Sequence, residues 1–185
     1  MLLVAATVLV ATSFLDVEIY DLDIWWHLAI GREILAHLEV PRLDHWTVLG
    51  AGRAYHDSHW LFQAAAALAE RVGGMAGVQA LMVGLWALTL AAAYRIARRR
   101  LPVEGAALLT LAPLAAGLER ILPRPELVTF AALAWFLVWL GGSDSWRPAG
   151  LARLALVQVA WTNAHGLFVL GPFAVGCHAA AEVWR

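Results

Sequence analysis

Long apolar runs separated by short polar segments dominate this chain. The clearest run covers residues 75–97 and is about as long as a helix must be to cross a bilayer. We interpret the run at 1–15 as a retained helix rather than a signal peptide, because it has no basic n-region and is followed by a poor small-residue cleavage pattern. The pattern predicts an all-α, polytopic transmembrane helical bundle of about six spans, at 1–15, 75–97, 103–117, 127–140, 151–161 and 167–183.

The polar segment 16–71 predicts a first outer loop that contains interfacial helices. Within it, Asp21 is placed as an N-cap, and a stripe of apolar positions at helical spacing follows it. This stripe predicts an amphipathic helix that lies along the bilayer surface and ends before Pro41. Its members are Ile24, Leu28, Gly31, Leu35 and Leu38.

Turn residues divide the rest of the chain. The short runs 47–49 and 53–55 flank two glycines, which predicts a small hairpin or an ordered loop. A helix at 59–71 should end at Gly73 and Gly74, before the span at 75–97. Pro113 should kink the span at 103–117.

Composition and charge support a membrane protein and orient it. The chain is 62% hydrophobic and 15% charged, with a mean hydropathy of +0.69, whereas soluble domains carry about a quarter charged residues. Arg98, Arg99 and Arg100 follow the clearest span, and the positive-inside rule places them in the cytoplasm. The acidic segment 16–71 is then outside. We therefore expect a multi-pass protein of the inner (plasma) membrane, surrounded by lipid bilayer and without a nucleic-acid partner.

This topology brings three polar segments to the same side of the membrane. They are the acidic loop, the turn that contains Arg120 and Arg124, and the turn from Asn163 to His165. Polar groups that converge on one face from distant parts of a sequence indicate a single site.

The acidic pair Asp21 and Asp23 is the first candidate for chemistry, with His27 one helical turn beyond Asp23. A carboxylate pair can bind a divalent cation, magnesium or manganese, while one oxygen accepts a hydroxyl proton. The alternative is that Asp21 only caps the helix and Asp23 is solvated.

The remaining polar candidates each have a structural alternative. His56 and His59 supply half of a metal site, but interfacial histidines need no metal. Arg120 and Arg124 could bind a lipid phosphate through paired hydrogen bonds, or their side chains could simply reach the lipid headgroups. Asn163 and His165 could bind a ligand or hold helices together.

Five segments together resemble a family of bacterial polytopic membrane proteins akin to the GT-C superfamily of glycosyltransferases. The resemblance covers residues 14–176, and its most specific part is the first segment. In chain order the segments are DLDIWWHLAIGREI, VPRLDHWT, HDSHWLFQ, RPELVTF and WTNAHG.

The resemblance implies transfer of a sugar from a polyprenyl-phosphate donor to an acceptor at the outer face. It implies that Asp21 and Asp23 are catalytic, with or without a divalent cation, and that Arg120 or Arg124 stabilises the leaving phosphate. Tryptophans could stack on sugar faces. The substrate-binding set is then Trp26, His27, His56, His59, Arg120, Arg124, Asn163 and His165.

The sequence departs from GT-C enzymes in two ways, and two other functions are possible alternatives. The spans are fewer than usual, and the chain stops where a span is just ending, so we expect residues 1–185 to be a single membrane domain and the N-terminal part of a longer protein. A transporter or flippase could use the same acidic loop, although residues 75–94 contain no ionisable group apart from Tyr94. A non-catalytic assembly subunit could use it for docking.

Overall fold

The computed structural model describes Ala5, Leu9, Ser13 and residues 21–117 and 121–184. Most of the predicted helix at 1–15 lies outside the described residues, as do residues 16–20 and Arg120. The rest is helical without a strand, so the all-α class is confirmed for this part of the chain. The helices are α1 Asp23–His37, α2 Trp60–Ala97, α3 Val103–Leu109, α4 Leu111–Ala116, α5 Glu126–Leu140, α6 Pro148–Thr162 and α7 Leu170–Val183, with a 3-10 turn, Gly166–Val169, before α7.

Two segments of the described chain are long and apolar enough to cross a membrane, namely α2 and Gly166–Val183. The apolar segments Val103–Ala116 and Glu126–Leu140 are shorter. At 1.5 Å rise per residue, a 15-residue helix reaches about 22 Å, which is less than the roughly 30 Å of a bilayer core. The predicted bundle of about six spans is therefore a helical protein in which two described segments have spanning length.

Helix α2 joins two segments that the sequence predicts as separate helices. It runs for 38 residues and is kinked at Gly73 and Gly74. Gly74 has φ 61° and ψ −150°, a conformation that side chains with a Cβ scarcely adopt. Gly73 and Gly74 both have non-helical backbone angles, so the predicted boundary between two helices is present as a kink within α2.

The kink predicted at Pro113 lies earlier in the chain. Helix α3 ends at Leu109 and α4 begins at Leu111, so the break is at Thr110. A proline ring clashes with the carbonyl four residues before it, which here belongs to Leu109.

Helix α1 packs closely against the first half of α2. Its buried face contains Ile24, Leu28, Gly31 and Ile34. The backbones come so close that a Cβ on Gly31 would lie 2.1 Å from the carbonyl oxygen of Gln63. The predicted stripe is wrong at its end, because Leu38 is 88% exposed and terminates the helix with φ 53°.

The predicted hairpin is an ordered loop held by a different pairing. Leu43 pairs with Ala54 in an antiparallel bridge, and the amide of Asp44 donates to the carbonyl of Arg53 over 2.9 Å. The Asp44 carboxylate accepts from the amides of Trp46 and Thr47, which fixes the turn. Side-chain bonds of this kind override strand propensity.

Antiparallel packing brings the start of α2, the start of α5 and the end of α6 to one end of the molecule. There the amide of Leu61 donates to the carbonyl of Asn163 over 3.0 Å. At the opposite end, Trp146 stacks on His178 with ring centroids 5.6 Å apart. Between the ends the core is apolar; its largest fully buried side chains include Trp86, Trp161 and Phe136.

Candidate functional site

Polar side chains from four elements meet at the end where α2 and α5 begin. We call this group the polar vestibule. It joins the acidic loop, the arginine turn and the asparagine–histidine turn, as the sequence predicts. Its members are Asp21, Asp23, His27, His59, Arg124, Thr129 and His165.

An ion pair across 103 residues of sequence anchors the vestibule. Arg124 donates from Nε to Oδ2 of Asp21 over 2.7 Å and from Nη2 to Oδ1 over 2.9 Å. The same Nη2 atom lies 3.2 Å from Oδ2 of Asp23. The Asp21 side chain is 4% exposed and that of Asp23 64% exposed, so the two carboxylates have different surroundings.

These surroundings set the charge of the site. The bonds from Arg124 hold the pKa of Asp21 below its ordinary value, so Asp21 is ionised at neutral pH. The Asp21 carboxylate also accepts a hydrogen bond from the amide of Asp23 at the start of α1, where Leu22 is the N-cap residue. Asp21 therefore has a structural role at the helix terminus, close to the predicted N-cap position.

The acidic pair does not fit a divalent cation as it stands. Both oxygens of Asp21 accept from a guanidinium, which occupies the place where a metal ion would be bound. In the described part of the chain, no group of three or more His, Cys, Asp or Glu side chains is arranged to hold a metal ion.

Three imidazoles form a row beside the carboxylates. The ring centroid of His59 lies 6.1 Å from that of His27 and 5.5 Å from that of His165. Burial, and then the neighbouring His59, lower the pKa of His27 to about 4, and the same causes lower the pKa of His165. Both outer imidazoles are therefore neutral at pH 7.

At the end of the row, the structure shows a contact of Thr129 that sequence reasoning missed, and it joins this residue to Trp161 of the WTNAHG segment. The Thr129 hydroxyl lies 2.7 Å from Nδ1 of His165, and the indole nitrogen of Trp161 donates to the same hydroxyl over 2.8 Å. The available signal was a lone hydroxyl in the otherwise apolar α5, because polar groups within apolar helices need partners.

Buried oxygens near the row were also missed. Asp57 caps the amide of His59 over 2.8 Å through Oδ1, and burial raises the pKa of its carboxyl. Among the described residues, neither Oδ2 of Asp57 nor Oε1 of Gln63 has a hydrogen-bond partner. The amide nitrogen of Gln63 lies 3.4 Å from Nδ1 of His27, which links this pair to the row.

Other predicted site residues have structural contacts. Asn163 accepts from the Trp60 indole over 2.9 Å and donates to the carbonyl of Val159 over 2.7 Å, so its amide joins helices. Trp26 packs edge-on against Trp46 at 5.8 Å and holds the 41–58 loop on α1. His56 is exposed, outside the vestibule.

Comparison of the chain with family models, with curated proteins and with solved structures finds no match.

Proposed function

We propose that this chain belongs to a polytopic glycosyltransferase of the GT-C kind, which transfers a sugar from a polyprenyl-phosphate donor to an acceptor at the outer face of the membrane. The observation that carries the proposal is the meeting of an exposed carboxylate, a guanidinium and three imidazoles at one end of apolar helices. The order of the motifs, which resembles that superfamily, adds support.

In this proposal Asp23 is the general base. Its side chain is 64% exposed and borders Arg124, whereas Asp21 is buried and holds Arg124 with both oxygens. The acceptor oxygen bonds to the anomeric carbon as the bond from that carbon to the phosphate oxygen breaks. The hydroxyl proton passes to Asp23, and the electron pair leaves with polyprenyl phosphate.

Arg124 faces the leaving phosphate in the same scheme. Its bonds to the two aspartates use Nε and Nη2, so Nη1 is the nitrogen that would contact a phosphate oxygen. Asp21 fixes the plane of the guanidinium, and a fixed guanidinium loses less entropy when it binds an oxyanion. The six-span arrangement and the outward orientation belong to the proposal as well.

The test is consumption of donor by the full-length protein, purified into lipid vesicles. A panel of polyprenyl monophosphates that carry hexoses or pentoses is supplied with cell-envelope acceptor, and release of polyprenyl phosphate is measured. We expect the wild type to consume one donor and D23N to be about 100-fold slower or worse, since a general base contributes roughly 10² to 10⁴.

D144N is the matched control, because Asp144 is also exposed and lies 3.0 Å from an arginine, Arg147. It should keep wild-type turnover. Consumption of no donor by the wild type would contradict glycosyl transfer. Wild-type rates in D23N would contradict the role of Asp23 as the general base.

A further inference from the structure

We propose that Trp161 and Thr129 hold the His165 imidazole in its Nε2–H tautomer, so that His165 gives a fixed N–H donor to a phosphate or carbohydrate oxygen in the polar vestibule. Thr129 and Trp161 are then positioning residues. The part of this inference that concerns the ligand rests on the proposed function, whereas the tautomer does not.

The direction of the hydrogen bonds follows from the donors. An indole nitrogen only donates, so Thr129 Oγ1 accepts from Trp161 over 2.8 Å. The hydroxyl has a single proton to give, and Nδ1 of His165 lies 2.7 Å from the same oxygen. If the hydroxyl donates to Nδ1, that nitrogen carries no proton, and a neutral imidazole must carry it on Nε2.

Comparison with other threonines in helices or at a helix end supports this direction. The hydroxyls of Thr89, Thr110 and Thr162 each donate to the carbonyl four residues earlier, as is common in helices. In the described structure the bonds of Thr129 are instead to Trp161 and His165. Its proton is therefore directed at the imidazole rather than at its own helix.

Because Trp161 and Thr129 are buried, water does not compete for their hydrogen bonds. Trp161 is 0% exposed and Thr129 2% exposed, so neither can exchange its partner for water without cost. The asparagine–histidine turn is itself fixed, since the amides of Ala164 and His165 both donate to the carbonyl of Trp161 over 3.0 Å.

The donor edge of the imidazole has a defined position. Nδ1 is bound to the wall formed by α5, so Nε2 lies on the other edge of the ring, away from Thr129. The neighbouring His59, whose ring centroid lies 5.5 Å from that of His165, has 35% of its side chain exposed. A preorganised neutral donor suits an oxygen that gains negative charge as a bond to it breaks.

The test is nitrogen NMR of the full chain in lipid nanodiscs with ring-labelled histidine at pH 7.5. His165 is assigned by its loss in H165Q. We expect the wild type to have an Nε2–H signal with an unprotonated, hydrogen-bonded Nδ1. In T129V we expect a mixture of tautomers, and T129S should restore the wild-type spectrum.

T89V is the matched control, since Thr89 is buried and helical but bonds within α2. It should leave the His165 signals unchanged. A proton on Nδ1 in the wild type would overturn the inference, and this measurement does not depend on whether a variant folds. An unchanged tautomer in T129V would also overturn it. We expect donor turnover to fall about tenfold in T129V and to return in T129S. If the wild type shows the Nε2–H tautomer but neither it nor any variant turns over donor, the proposed function is contradicted and the inference about the tautomer still holds.

Discussion

Asp21 and Asp23 are two residues apart, yet their surroundings give them different tasks. Asp21 is 6% exposed and bound on both oxygens by Arg124, while the Asp23 side chain is mostly exposed. A buried carboxylate with two charge-assisted bonds stabilises the fold. An exposed one beside a guanidinium is available to a ligand. The D-x-D pattern alone does not distinguish these tasks.

A double-mutant cycle tests the structural task of Asp21. D21N removes a charge from a buried pair and should lower the free energy of unfolding by about 3 kcal/mol, because Arg124 loses its main partner. R124Q and the double variant complete the cycle, measured by reversible unfolding in mixed micelles. The two single effects should not add. Additive effects within about 0.5 kcal/mol would mean that the pair contributes no coupling.

His27 predicts how stability depends on pH. Its pKa falls from 6.5 to about 4 on folding, so the unfolded chain binds a proton in this window and the folded chain does not. The contribution of His27 is fully present above pH 6.5 and is lost as pH falls toward 4, by about 3 kcal/mol in total.

Unfolding of H27N between pH 4 and 7 measures this contribution. The variant should lose less stability on acidification than the wild type does. H37N is the control, since His37 is exposed on the same helix. Equal pH dependence in H27N and the wild type would contradict a buried neutral His27.

At the level of elements, the vestibule depends on how closely α1 lies on α2. The two backbones come close at Gly31, next to Gln63, and Gln63 in turn lies beside His27. The contact therefore sets both the helix separation and the position of one imidazole. The kink at Gly73 and Gly74 comes after this contact and separates the half of α2 that contains Gln63 from the long apolar half, residues 75–97.

G31A tests that contact. A Cβ there would lie 2.1 Å from the Gln63 oxygen and 2.8 Å from the Ala67 Cβ, so the helices must separate. We expect a loss of roughly 2 kcal/mol or more in the free energy of unfolding, as for other overpacked sites. G84A is the control, since nothing lies within 4 Å of a Cβ at that position. Equal stability of the two variants would show that α1 is not packed this closely.

For the whole molecule, sequence patterns were sufficient for part of the architecture. Apolar runs and glycine or proline boundaries gave the helices, and alternating direction brought the polar turns to one end. The pattern did not give the Asp21–Arg124 bond, which spans 103 residues, or the Thr129–His165 bond, which spans 36. Such partners depend on how each helix is rotated about its axis. When a helix is apolar all round, its hydrophobic pattern carries little information about that rotation.

The lengths of the helices were also only partly predictable. Apolar content predicts about six spans, whereas two described segments reach spanning length. Breaks such as the one at Thr110 shorten the helices, because the effect of Pro113 falls one turn before the proline itself.

The proposed function requires that the acidic loop, the arginine turn and the asparagine–histidine turn open to one aqueous compartment outside the membrane. In a C177A background, single cysteines replace Leu22 and Leu167, which are 81% and 46% exposed beside the vestibule, and Leu101 at the opposite end. An impermeant maleimide added to intact cells should label positions 22 and 167, and should label position 101 only after permeabilisation. Labelling of position 22 or 167 from the cytoplasm alone would contradict the proposed function.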